Sequence, residues 1–257
     1  MARRLVPESV VADAQAQIAD AVKAALAQQR ISVMANLHAH GIVAAATVDK
    51  ASLWHPATWR AAVDKHVAPV AAAVALTIVN AARQAVPAHM TWGAAVSAPA
   101  MAARITDSVD RAGGRIATAI ATASAAADEV EQHVSDLLDS AIGWVADIAG
   151  RIAGSAAAEA TVSLADHINN LGYGPITQVW NSAFAQTSRE DHMDADGQEV
   201  SAGEPFLIGD EELMYPGDPS GSDENTINCL CWLTVNGVGD DVPAAQDIGD
   251  EEQVVEE

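Results

Sequence analysis

Trp180–Val235 reads WNSAFAQTSREDHMDADGQEVSAGEPFLIGDEELMYPGDPSGSDENTINCLCWLTV. It holds both cysteines of the chain, Cys229 and Cys231, and the densest turn signals. Asp196-Gly197 ahead of Gln-Glu-Val predicts a hairpin-type turn, because glycine takes positive φ without steric cost. Pro216-Gly-Asp218-Pro219 predicts a rigid loop: each proline fixes its own φ and pushes its predecessor out of the helical region. Ile227 to Val235 is rich in β-formers and predicts a strand. On a strand Cys229 and Cys231 would point the same way. Two thiols on one face, with a histidine and aspartates on nearby loops, make a candidate metal site.

Outward from this stretch, Gly172-Tyr-Gly174-Pro175 marks a boundary. Ile176 to Phe184 alternates like a strand, with Ile176, Gln178 and Trp180 on one side. Before the boundary the chain is alanine-rich and carries the three- and four-residue spacing of helices. Glu8–Ile31 is one expected helix, and Val33–Ala46 a second. Thr58–Val86 is a third, kinked or broken near Pro69. Trp92 anchors a loop. Ala100–Arg111 is expected to end at Gly113-Gly114, and a long helix follows from Arg115 to about Leu171, with weak points at Gly143, Gly150 and Gly154. The fold class is therefore α+β: an N-terminal Ala-rich α-helical region followed by a small, mostly-β C-terminal domain. The expected units are residues 1–172, 173–239 and an acidic tail, 240–257. Met1–Pro7 is expected to fray.

Charge is unevenly placed. Residues 1–189 carry 13 Lys or Arg against 15 Asp or Glu, a balance of −2; residues 190–257 carry no Lys or Arg and 20 Asp or Glu, and the whole is −22. Such an acidic end repels nucleic acid, so weak or no direct DNA binding is expected. No secretory signal is read at the N-terminus. The most apolar run, Ala68–Ala82, falls short of a membrane span, so a soluble protein is expected. Two cysteines build no disulfide framework. Ala-rich helix faces allow close approach, which fits self-association or packing on a ring-shaped partner.

The blocks Arg189-x-x-His192-x-x-x-Asp196-Gly197, Pro205-Phe206, Pro216-Gly217-Asp218 and Asn228-Cys229-x-Cys231, in that order, resemble the C-terminal domain of the phage Mu F-like minor head proteins. That likeness covers about a quarter of the chain. Leu230 stands where the family usually has Arg. The tryptophan–proline block around Trp54, Pro56 and Trp59 is similar to the family's helical part. Of the family's Arg-Thr-Glu motif only Glu159 has a counterpart.

The resemblance implies a minor capsid protein of a tailed phage or prophage, acting in head morphogenesis. Its partners would be the portal protein and the major capsid or scaffold protein. Its location would be the virion, in the capsid interior near the portal, and the host cytoplasm during assembly. A capsid maturation protease or other virion-associated enzyme, and a DNA-associated protein ejected with the genome, are the alternatives.

For metal, Cys229, Cys231 and His192 supply three ligands and Asp196 or Asp218 a fourth, with structural zinc the ion of choice. Two buried reduced thiols serve packing equally well. For catalysis, His192 with either cysteine is a candidate nucleophile pair, but the surrounding acidic residues are expected to raise the thiol pKa. There is no G-x-S-x-G, H-E-x-x-H or phosphate-binding glycine loop. The chain reads as a non-enzyme, and the remaining histidines, His38, His40, His55, His66, His133 and His167, as structural or surface residues.

Overall fold

The computed structural model describes residues 2–40, 54, 56–87, 90–93, 96–122 and 127–238. Its architecture is α+β, as the sequence predicts. The acidic tail 240–257, His55 and much of the Val33–Ala46 stretch lie outside the described residues, as do the side chains of His40 and His133.

Helix α1 (Glu8–His40) is continuous where two helices were expected. No proline or glycine interrupts Ile31–Val33, and Val33 extends the buried stripe of Ile18, Val22, Ala25 and Leu26. Helix α2 (Pro56–Ala62) runs through a π-helical turn, Val63–Val67, into α3 (Ala68–Gln84). The π turn Val63–Val67 accommodates Pro69, whose ring would otherwise meet the preceding turn, and the helical run is not broken there. By length and composition alone the run Ala57–Gln84 is apolar enough to cross a bilayer, longer than the Ala68–Ala82 stretch read from the sequence. Its face of Ala71, Val74, Ala75, Ile78, Val79 and Ala82 is buried in the core of the helical region.

Helix α4 (Ala98–Thr122) passes straight through Gly113 and Gly114. A Cβ at Gly113 would stand 2.1 Å from the Trp54 ring. This glycine makes room for an indole rather than stopping a helix. The Trp54 Nε1–H donates to Asp110 on the same helix, 3.3 Å. Helix α5 (Ala127–Asn170) spans 44 residues. Gly150 and Gly154, expected as weak points, are where α1 lies closest: a Cβ on Gly150 would sit 2.8 Å from the Gln15 carbonyl oxygen. Helix α5 ends at Asn170, and Gly172 just beyond it takes φ +79°. The Gly172 and Tyr173 amides close back on the Asn169 and Ile168 carbonyls, the glycine C-cap that a left-handed residue permits.

Beyond it lies a three-stranded antiparallel sheet, β2 (Glu199–Ser201), β1 (Thr177–Asn181) and β5 (Trp232–Asn236), in that spatial order. A hairpin of β3 (Phe206–Ile208) and β4 (Glu211–Leu213) stands beside it. Two short helices, α6 (Glu190–Asp194) and α7 (Asp223–Thr226), carry the connections. The N-terminus does not fray: Arg3 forms an antiparallel bridge with Val235, and Leu5 and Val6 are buried.

The break at residues 172–175 separates helices from strands but not one core from another. Ile176, Ala202, Val235 and Val238 join the helical core. Ala158 and Val162 of α5 join Trp180, Phe206, Ile208, Leu213 and Leu233 in the second. Ile176, Gln178 and Trp180 share a face of the extended segment, as their alternation predicts, so one strand face feeds both cores.

Candidate metal centre

The centre is built on Trp180, in the middle of the sheet and fully buried. Its ring meets Phe206 edge-on at 5.4 Å and His192 edge-on at 5.8 Å. These T-shaped contacts suit the positive edge and negative face of aromatic rings. His192 comes from the single turn of α6, which presents it inward while Glu190, Asp191 and Asp194 stay in water. The hairpin expected at Asp196-Gly197 is instead the turn that ends α6. Gly197 sits there at φ +78° and donates its amide to the Trp180 carbonyl.

The cysteines arrive differently from expectation. Strand β5 begins at Trp232, so neither cysteine lies on it. Asn228, at φ 60°, reverses the chain after α7, and asparagine is among the few residues that tolerate that conformation. The Arg189 side chain donates to the Ile227 carbonyl at 2.6 Å, tying the start of α6 to the segment that leads into Cys229. The two elements that carry the ligands are thereby clamped together.

His192 Nδ1 lies 3.4 Å from Cys231 Sγ and 3.6 Å from Cys229 Sγ. The three ligand atoms all fall within 4.8 Å of one another. A tetrahedral Zn²⁺ with ordinary bond lengths would space a nitrogen and a sulfur by about 3.6 Å. The donor set and its spacing therefore fit such an ion. His192 Nε2 is buried with no hydrogen-bond partner. The outer hydrogen bond that usually orients a ligating histidine is missing, and Trp180 holds the ring in its place.

The thiols share their protons unequally. Cys231 is drawn down to about 5, first by the hydrogen bond from the Cys229 thiol, then by His192 and the Trp180 indole, against burial. Cys229 is pushed far up, first as that donor and then by burial; the Arg189 charge works the other way. No carboxylate contributes to either shift. The expected acidic elevation of both thiols is overturned because contacts at hydrogen-bond range outweigh charges that sit in water.

The two aspartates hold backbone instead. Asp196 is exposed, and its Oδ1 accepts from the Ser182 amide, 2.8 Å. Asp218 is buried; its carboxylate accepts from the Met214 amide and from the amide and hydroxyl of Ser220, all between 2.8 and 2.9 Å. Neither belongs to the ligand group. Asp218 shapes the Tyr215–Pro219 turn, and Gly217 within it packs against α5; Arg104 of α4 and Ser155 of α5 both donate to its carbonyl, at 2.7 and 2.8 Å. Sequence reasoning gave Trp180 no part as the wall of the centre and missed Arg104 as the tether of this turn. Trp180 was open to detection as a tryptophan on the buried face of a predicted strand. Arg104 lies 113 residues from its partner and carries no local signal.

Against known protein families, curated proteins and solved structures, the chain has no match.

Proposed function

We propose that His192, Cys229 and Cys231 hold a structural Zn²⁺. We propose further that the chain is a non-enzymatic minor capsid protein of a tailed phage or prophage, docking at the portal and capsid interior during head assembly. The observation that carries the first part is the meeting of Nδ1 and two sulfurs at zinc-like spacing. Those residues come from separate motif blocks, 37 and 39 positions apart. The observation that supports the second is that His192, Phe206, Cys229 and Cys231, from three of the blocks resembling the Mu F-like proteins, gather around Trp180 and the core it shares with α5. The strands there are short, and a bound ion would supply cohesion that a small core lacks. The portal protein and the major capsid or scaffold protein are the proposed partners, and the capsid interior the proposed location.

The lowered Cys231 thiol also favours a second reading, a Cys–His nucleophile in a maturation protease. A nucleophile's base needs a third group to orient it, and His192 Nε2 meets none. The same bond is missing for a metal ligand, so the preference for metal rests on the convergence of two sulfurs and Nδ1, where a nucleophile pair needs only one thiol.

Metal analysis of protein purified without chelator tests the site: near-stoichiometric zinc is expected, lost in Cys229→Ser, Cys231→Ser and His192→Ala. Metal-free protein whose stability ignores chelator contradicts it. Co-purification with the portal protein tests the assembly role. Cleavage of capsid protein that stops in the folded Cys231→Ser variant would transfer the assignment to the protease.

A further inference from the structure

A cleft between α4, α5 and the loops before β5 carries charge opposite to that of the chain. Its cavity volume is about 260 Å³. Arg104, Ser108 and Arg111 line it from α4, at spacings of four and three that keep them on one helix face. Arg151 and Ser155 line it from α5, four apart. The Pro216–Gly221 turn and the Thr226–Cys229 segment close the other side.

Three of the chain's 13 Lys and Arg residues thus converge on one small cleft of a molecule with net charge −22, against two lining carboxylates, Asp107 and Asp223. The three guanidiniums are not equally engaged. Arg104 is spent on Ser155 and the Gly217 carbonyl. Arg111 reaches Asp223 only at 3.8 Å, with both side chains at least half exposed. Such a pair is worth little and gives way easily to a better acceptor. Arg151, half-buried at the cleft wall, has no hydrogen-bond or ion-pair partner among the described residues. Among the described residues no aromatic side chain lines the cleft, so they offer no platform on which a nucleobase would stack.

We propose that this cleft binds a small oxyanion of the phosphate class, free or as pyrophosphate. Arg151 and Arg111 grip its oxygens, and the Ser108 hydroxyl is the neutral donor beside them. Guanidinium forks match the oxygen spacing of phosphate and hold it by paired charge-assisted hydrogen bonds. Arg151 is half-buried at the wall while Arg111 stays at the exposed mouth, and the negative surface turns away large polyanions such as duplex DNA. The site shares a wall with the cysteines but uses none of the proposed metal ligands, so it stands or falls independently of the zinc reading.

The test is calorimetric titration of the full chain at low ionic strength with inorganic phosphate, pyrophosphate and a mononucleotide. One-to-one saturable binding of phosphate or pyrophosphate is expected, weakened at least tenfold in Arg151→Gln and partly kept in Arg151→Lys. Arg115→Gln, exposed farther along α4, is the control for bulk charge, and zinc content with thermal melting controls for folding. Absent saturable binding, or an equal loss in Arg115→Gln and Arg151→Gln, overturns the site. A mononucleotide bound more tightly than pyrophosphate overturns the base-free assignment.

Discussion

Arg3 and Val235 exchange both of their backbone hydrogen bonds, 3.0 Å in one direction and 2.9 Å in the other. The N-terminal segment thereby covers the free edge of β5, four positions from the second cysteine. Arg4 stacks its guanidinium over the Trp232 ring at 4.4 Å, and Leu5 is 1% exposed. An edge strand left open loses half its ladder and invites foreign pairing. Leu5→Ala is therefore expected to cost about 2–5 kcal/mol, as for a buried leucine elsewhere, and Arg3→Pro to add to it by removing the amide. Urea unfolding measures both. A Leu5→Ala effect below experimental error would show that the segment only rests on the sheet.

Much of this was open to reading in the chain itself, and the failures share a cause. Alanine-rich helical spacing and the glycine–proline break at 172–175 are local properties, and they gave the α+β class and the order of a helical region before a small sheet. The pairing of His192 with the cysteines was legible because motif blocks name their residues. The errors lie where a distant partner decides. Gly113 reads as a breaker until Trp54 is found against it. Arg3 reads as fraying until β5 is found beside it. Cys229 reads as strand until Asn228 turns the chain ahead of it.

Gly113 gives a direct check of that reasoning. Alanine is the better helix former by about 1 kcal/mol, so a glycine that merely weakened α4 would be improved by Gly113→Ala. The Trp54 ring occupies the place of that methyl group. Gly113→Ala is expected to destabilise by about 1–3 kcal/mol, as overpacking does, while Gly114→Ala, with open space at its Cβ, stabilises. Paired thermal melts of the two variants decide; a gain in both would return Gly113 to the role of a simple breaker.

Glu159 on α5 has its carboxyl raised above the ordinary range, first by burial, with the Asp218 charge adding and Arg104 opposing. A carboxyl raised in the folded state favours folding when protonated. Its contribution is fully present below the unfolded value of 4.5 and is lost as pH rises through the higher folded value. Glu159→Gln keeps the shape without the charge. The variant is expected to be more stable than the parent at neutral pH, with the difference closing as pH falls toward 4.5. Melting curves across pH 4 to 8 test this. A difference that widens toward acid would mean that Arg104 outweighs burial at this site.

The last prediction concerns the two cores. Residues 173–238 contain every strand among the described residues and the whole candidate metal centre, so they look like a domain that could be cut free. Yet Trp180, Phe206, Ile208, Leu213 and Leu233 pack on Ala158 and Val162 of α5, and Ile176 and Val235 belong to the helical core. Cutting at 173 would expose that side of Trp180's core and leave β5 without Arg3. A unit of this size has little stability to lose. The isolated fragment is expected to be unfolded or loosely collapsed in the absence of metal, with poorly dispersed amide signals, while the full chain gives sharp, dispersed ones. Zinc then separates two outcomes. If the ion organises the centre by itself, adding it sharpens the fragment's spectrum around His192, Cys229 and Cys231. If α5 is indispensable, only the full chain responds. A fragment that folds without zinc and without α5 would show that the helical face contributes nothing essential, and the shared core would lose its meaning for stability.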